Sequence, residues 1–240
     1  MLNGKKILAV VPARGGSKGI PDKNIKPVGG VPLVAKVGDV LKVLGEIDRA
    51  VVSTDSDRIA AVAESAGIAA PFRRPESISG DRIGDLVVLT HALQTMEAMD
   101  GIQYDVVVML QPTSPLRTAQ NVRDCLKKMV DENLDAVWTV SETDSKNHPL
   151  KQLTVGENGD LGYYDPAGGA VIARQQLKPL YHRNGIAYVI SRECLLGQKT
   201  IMGKRTAGLI VDGPHVSIDT MWDLALVEFI LSSNQAGDGS

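Results

Sequence analysis

Residues 7–24 read ILAVVPARGGSKGIPDKN. An apolar run, Ile7 to Val11, opens abruptly into a loop with glycines at 15, 16 and 19 and cations at Arg14, Lys18 and Lys23. A buried strand that ends in a glycine-rich basic loop is how α/β proteins hold phosphate. Glycine reaches backbone angles that other residues avoid and lets N–H groups come close to an anion. Arg and Lys add charge-assisted hydrogen bonds. The segment predicts an α/β chain with a phosphate site at the end of its first strand, and a nucleoside triphosphate as first candidate ligand. Two standard phosphate loops are excluded. Lys18 follows Ser17 and precedes Gly19, so GxxxxGKS/T is absent; Gly15 and Gly16 are adjacent, so GxGxxG is absent too.

Beyond this loop, apolar and amphipathic runs alternate, the pattern of βαβ units around a mostly parallel sheet. Strands are predicted at Ile7–Val11, Ala50–Ser53, Asp105–Leu110, Ala136–Val140, Ile186–Ile190 and Leu209–Val211. Helical spacing marks 31–44, 59–66, 82–98, 119–131 and 222–230. Asp55 or Ser56 caps the helix containing Ile59, Val62 and Ala66, and Asp55 is read as a cap in preference to a site residue. The pattern breaks from 142 to 183, a polar, turn-rich stretch in which 151–155 and 161–164 flank GENGD as a hairpin. Such excursions serve oligomer contacts or lids. Residues 234–240 (NQAGDGS) read as a disordered tail. In parallel sheets ligands sit beyond the carboxyl ends of the strands. The loops at 12–24, 54–56 and 111–117 all follow strands, which gathers Arg14, Lys18, Lys23 and Gln111 around one crevice.

Composition removes other classes. With 240 residues, 43% hydrophobic and 22% charged, the chain suits one large α/β domain. A net charge of −2 and only 4% aromatics argue against nucleic-acid and anionic-membrane partners. The histidines at 91, 148, 182 and 215 lack metal-ligand spacing. Cys125 and Cys194 form no CxxC and read as reduced thiols. With no signal-peptide layout and no long apolar run, a cytoplasmic protein is expected.

The block PARGGSKGIPDKN resembles the N-terminal signature of the acylneuraminate cytidylyltransferases, the CMP-sialic acid synthetases. STDS (53–56), RPE (74–76), LQPTSPLR (110–117), NHPLK (147–151), RQQLKPLYHRNG (174–185) and SIDTMWDL (217–224) are similar to later blocks of that family, in the same order. The resemblance implies a single Rossmann-like nucleotidyltransferase domain over 1–233, with 142–183 as an inserted dimerisation segment. It also implies an activity: CMP passes from CTP to the anomeric hydroxyl of a nine-carbon 2-keto sugar acid of sialic, legionaminic or pseudaminic type, and pyrophosphate leaves. By the same resemblance Arg14, Lys18 and Lys23 hold the triphosphate, with Ala13, Gly15, Gly16, Ser17, Asn24 and Arg74 as nucleotide contacts. Gln111, Tyr181 and Asn184 are sugar contacts. Lys151 and Arg174 meet the sugar carboxylate from the partner subunit of a homodimer, and Asp219 binds Mg²⁺. The octulosonate cytidylyltransferases, which share the fold and the first block, are a second reading.

Two departures stand out. Where the family commonly has Asp-x-Asp-Thr, this chain has Ser217-Ile218-Asp219-Thr220, which leaves Asp219 as the metal ligand and makes a two-metal scheme less certain. Where the family tends to small hydroxyl residues near the base, this chain has Arg82, Ile83, Gly84 and Asp85. A carboxylate at Asp85 accepts two hydrogen bonds from guanine and one from cytosine, so GTP is an alternative nucleotide. Together the departures also raise a nucleotide-binding paralogue of weak activity.

Overall fold

The computed structural model describes residue 2 and residues 4–237. Ten strands and six α-helices follow in chain order: β1 (Ile7–Pro12), β2 (Pro27–Val28), β3 (Val31–Pro32), α1 (Leu33–Leu41), β4 (Arg49–Ser53), α2 (Asp57–Ser65), α3 (Asp85–Asp100), β5 (Val106–Met109), α4 (Ala119–Asp131), β6 (Ala136–Glu142), β7 (Leu153–Val155), β8 (Leu161–Tyr163), β9 (Tyr181–Ser191), α5 (Arg192–Leu196), β10 (Thr206–Ile210) and α6 (Met221–Gly237). Six strands form one sheet in the order β10-β6-β9-β5-β1-β4. Neighbours are parallel except where β9 runs antiparallel to both β5 and β6. The expected mostly parallel α/β architecture is therefore observed.

Alternation along the central strands builds two cores. Ile7, Val11, Val106, Val108 and Leu110 face α1, α2 and α4 through Val34, Val37, Ile59, Ala63, Val122 and Leu126. Leu8, Val10, Val107 and Met109 face α3 and α5 through Leu89, Leu93, Met96 and Leu195. Each fully buried Val, Leu, Ile or Met side chain among these contributes about 1.5–3 kcal/mol relative to exposure. A strand covered on both faces has no polar side to display, which is why β1 and β5 read as unbroken apolar runs. A third, smaller cluster joins Ile20, Val28, Leu33, Ile218, Leu224 and Val227, and so packs α6 beneath the first loop.

The direction of β9 matters most for the site. Met109 pairs with Tyr188, so the residues before Tyr188 run past the carboxyl end of β5. Tyr181 to Gly185 thus reach the edge where the loops after β1, β4 and β5 emerge. Between β6 and β9 the chain makes its excursion, and β7 pairs antiparallel with β8 as the expected hairpin. Lys151 ends a short 3-10 turn instead of starting the hairpin strand. At the C-terminus α6 continues to Gly237, so 234–237 are helical where a disordered tail is expected; 238–240 lie outside the described residues. Among the described residues no helix is long and apolar enough to cross a membrane.

Candidate active site

A cleft of about 560 Å³ opens at the carboxyl edge of the sheet. Arg14, Ser17, Lys18, Gly19, Lys23 and Asn24 of the first loop form one wall. Arg74, Gly80, Asp81, Ile83 and Asp85 form the second, and Gln111, Pro112, Thr113 and Asp219 the third. The crevice expected from strand order alone therefore exists, with all four of its expected side chains on its surface.

The first loop is shaped by bonds to its own neighbours. The Asn24 side chain, buried, donates from Nδ2 to the Arg14 carbonyl at 2.9 Å and folds the loop back on itself. Gly19 sits against the backbone of Asp219: a Cβ there would lie 2.8 Å from the Asp219 carbonyl oxygen. Gly15 donates its N–H to Asp55 Oδ1 at 2.8 Å. Two expectations are corrected here. Asp55 is not the cap of α2; Ser56 is, its side chain accepting from the Ile59 N–H, while Asp55 reaches across to the first loop. Ala13 is fully buried and donates its N–H to the Ser53 carbonyl, so Ala13, like Gly15 and Gly16, is absent from the cleft surface.

Asp219 is placed by hydrogen bonds that involve Thr113, Lys23 and Asp223. The Ile218 N–H donates to the Thr113 carbonyl at 2.8 Å, which ties its segment to the loop after β5. Lys23 Nζ donates to the Ile218 carbonyl at 3.0 Å and to Asp219 Oδ1 at 2.9 Å. Asp223 Oδ2 accepts from the backbone N–H groups of Asp219 and Thr220, capping α6. The Asp219 carboxylate itself is 73% exposed and faces the cleft.

Arg74 is a buried cation with unspent donor capacity. One guanidinium nitrogen donates to the Ser53 carbonyl at 3.0 Å, whereas its buried Nε has no partner among the described residues. Burial lowers its pKa; Asp55 partly offsets this, and Arg14 adds to it. A buried positive group on a cleft wall favours an anionic or carbonyl-bearing ligand. Asp85 opens α3 on the same wall. Burial raises its pKa, with Arg183 acting in the opposite direction. The Arg183 guanidinium stacks 5.7 Å from the centroid of the Trp138 ring.

On the third wall, a buried arginine organises the loop that carries Gln111. Arg117 donates to the carbonyls of Gln111, Gly185 and Ile186, and Ser114 Oγ donates to the Asn184 carbonyl at 2.7 Å. Burial pushes the Arg117 pKa down to about 9, which leaves it charged at neutral pH. Asn184 is not on the cleft surface. Its side chain is buried, with Oδ1 accepting from Thr139 Oγ1 at 2.7 Å and Nδ2 donating to Ser141 Oγ at 3.1 Å. It holds β9 against β6 where their register shifts. Lys151, Arg174 and Tyr181 are exposed and lie outside this chain's own cleft surface.

Sequence reasoning singled out neither Asp81 nor Arg117. Arg117 closes the LQPTSPLR block and was legible as part of it, without a role. Asp81 bridges two cations of the first loop: Oδ1 meets Arg14 and Oδ2 meets Lys18. These partners, Lys18 first, hold its carboxyl below the usual range.

A basic, glycine-rich loop at the carboxyl edge of a doubly covered sheet, facing a carboxylate across a cleft, suits the phosphates of a nucleotide. Residues 8–228 match the family described as Cytidylyltransferase, and the chain belongs to that family. It is 30% identical over 234 residues to the CMP-N,N'-diacetyllegionaminic acid synthase of Legionella pneumophila, covering 96% of this chain and 98% of that one. It is 28% identical over 231 residues to a pseudaminic acid cytidylyltransferase of Campylobacter jejuni, covering 95% and 97%. An N-acylneuraminate cytidylyltransferase of Streptococcus agalactiae is 31% identical over 84% of this chain and 47% of its own length. The resemblance drawn from the sequence blocks is thereby borne out. Among solved structures, CMP:2-keto-3-deoxy-manno-octonic acid synthetase in complex with CTP shares the fold, with a TM-score of 0.68 at 18% identity over 95% of this chain and 99% of that one.

Proposed function

We propose that the protein transfers the CMP group of CTP to the anomeric hydroxyl of a nine-carbon 2-keto sugar acid and releases pyrophosphate. The observation that carries this reading is the convergence of Arg14, Lys18, Lys23, Asp219 and Gln111 on one cleft. Phosphoryl transfer demands little covalent help from a protein; positioning and charge neutralisation dominate. Arg14, Lys18 and Lys23 supply the positive charge for the triphosphate and the departing pyrophosphate. Arg74 and Asn24 hold the nucleotide, and Gln111 orients the sugar. Relatives named for diacetyllegionaminic and pseudaminic acids at nearly full length support this acceptor class over an octulosonate.

Asp219 fits a magnesium ion that arrives with the nucleotide. Mg²⁺ is commonly held by one or two carboxylates and substrate phosphates, with water completing the shell. Asp219 offers one exposed carboxylate beside the basic loop, and Ser217 adds no charge. When bound, the ion supplies charge neutralisation on the phosphoryl oxygens. Among the described residues no cluster of three or more His, Cys, Asp or Glu side chains is placed to hold a metal without substrate.

A homodimer belongs to this reading. Its support is the excursion between β6 and β9, where Leu153, Val155, Leu161, Tyr164 and Ile172 are 54–92% exposed. Apolar exposure on that scale marks interaction surfaces. In this arrangement Lys151 and Arg174 serve the partner's cleft. The free, buried thiols of Cys125 and Cys194 suit a reducing compartment such as the cytoplasm. GTP is the second nucleotide, favoured by Asp85 alone.

The test is a panel of 2-keto sugar acids crossed with CTP and GTP, scored by pyrophosphate. Release that needs both CTP and a nine-carbon acid, and is lost in Asp219→Ala, supports the assignment. Nucleotide binding without turnover for every acceptor would make the chain a binding paralogue. Equal inactivity of GTP with all acids removes the GTP alternative.

A further inference from the structure

The segment between the Glu76–Ile78 turn and α3 carries an acid that the proposed transfer does not use. Asp81 stands on the cleft surface and gives one carboxylate oxygen to each of two cations, Arg14 and Lys18. A carboxylate that divides its oxygens between two cations presents them with the same contacts as a phosphate group. The Lys18 side chain is 84% exposed, so packing does not press it against Asp81; attraction holds it there. An ion pair as open to solvent as the Lys18–Asp81 one is weak and readily exchanged.

We propose that Asp81 is an internal competitor for the phosphate site, one that determines how tightly pyrophosphate is held. It occupies Arg14 and Lys18 when no nucleotide is present, yields to the triphosphate tail, and returns as pyrophosphate leaves. This rests on the reading of Arg14 and Lys18 as the residues that hold that tail. The physical reason is like-charge repulsion: a carboxylate and a polyphosphate a few ångströms apart repel strongly in a partly desolvated cleft. A ligand that reaches the two cations must therefore displace Asp81, whereas one that stops short of them need not. CTP and pyrophosphate belong to the first group and CMP to the second. Asp81 thus weakens the leaving product selectively.

The experiment is calorimetric titration of CTP, CMP and inorganic pyrophosphate, each at fixed magnesium chloride, into the native chain, Asp81→Asn, Asp81→Glu and Asp57→Asn. Asp57 pairs with Arg73 outside the cleft surface and controls for the loss of one negative charge. Asp81→Asn is expected to bind pyrophosphate and CTP roughly three- to tenfold more tightly, the scale of its two ion pairs taken together. CMP stays within twofold, Asp81→Glu stays near the native chain, and Asp57→Asn changes none of the three. The proposal is overturned if Asp81→Asn binds pyrophosphate unchanged or more weakly, if CMP tightens equally, or if Asp57→Asn does the same. A native chain that binds no CTP overturns the nucleotide reading itself. Native CTP binding together with an unresponsive Asp81→Asn overturns only the role of Asp81.

Discussion

Lys23 Nζ lies 2.9 Å from Asp219 Oδ1, a contact between residues 196 positions apart in the chain. It joins the loop after the first strand to the segment that leads into the last helix. The pair sets a cation of the first loop beside the carboxylate proposed for the metal, and Gly19 packs against the Asp219 backbone so closely that a side chain there would clash.

Asp219→Ala and Lys23→Ala are each expected to lower pyrophosphate release about 100-fold or more, the usual scale for one electrostatic group in a transfer site. Asp219 is largely exposed, so its removal should leave the thermal midpoint within a few degrees of native. Unfolding monitored by circular dichroism, alongside turnover, separates the two effects. A large fall in the midpoint of Asp219→Ala would assign the pair to stability.

Gly185 is where β9 reaches Gln111 on the third wall of the cleft. Its φ is +71°, and a Cβ would lie 2.4 Å from Ser114 Oγ and 2.6 Å from Gln111 Oε1. Gly185→Ala should cost about 1–3 kcal/mol for the strained backbone. It should also push Gln111 aside and raise the KM for the sugar acid at least tenfold, with the KM for CTP within twofold. Steady-state kinetics with each substrate varied in turn decide it; equal changes in both KM values would show that the turn does not act through Gln111.

Arg117 is charged and buried, and among the described residues its hydrogen bonds all go to carbonyls. Arg117→Met would leave the carbonyls of Gln111, Gly185 and Ile186 without this donor and should lower stability by about 3 kcal/mol or more, roughly 1 for each. Arg117→Lys keeps the charge but not the fork of donors and should fall between. Urea unfolding measures both, and a fully stable Arg117→Met would mean the loops hold without the clamp.

His91, on α3, packs edge-on against Phe72 at 5.4 Å, and its buried Nδ1 has no partner among the described residues. Burial lowers its pKa, and Arg74 lowers it further. The unfolded chain therefore takes up the proton first as pH falls through about 6.5, and folding stability declines below that point. Thermal midpoints between pH 7.5 and 5.5 should drop more for the native chain than for His91→Leu. Parallel curves would remove His91 as the source.

What the sequence revealed was whatever chain-local chemistry encodes. The apolar run before Arg14 announced a buried strand, and the order of strands placed Gln111 on the same edge. The direction of β9 was hidden, because Ile186–Ile190 reads identically whether the strand runs up or down. That direction brings Gly185 to Gln111 and turns Asn184 inward, where its amide is spent on Thr139 and Ser141. Asp55 and Ser56 are both good caps by composition, and only the tertiary approach of Gly15 decides between them. The roles of Asp81 and Arg117 stayed hidden because Asp81 meets Arg14 and Lys18, and Arg117 meets Gly185 and Ile186, across long stretches of chain, and neither residue type at its position signals such a bond.

The most direct measurement is a crystal structure with CTP bound, read for the distances from Lys18 Nζ and Lys23 Nζ to the phosphate oxygens. A triphosphate within about 3 Å of both ammonium groups, with Asp219 on the same side and Asp81 released, is the expected result. A nucleotide bound elsewhere, with Lys18 still paired to Asp81 and Asp219 facing no phosphate, would contradict it.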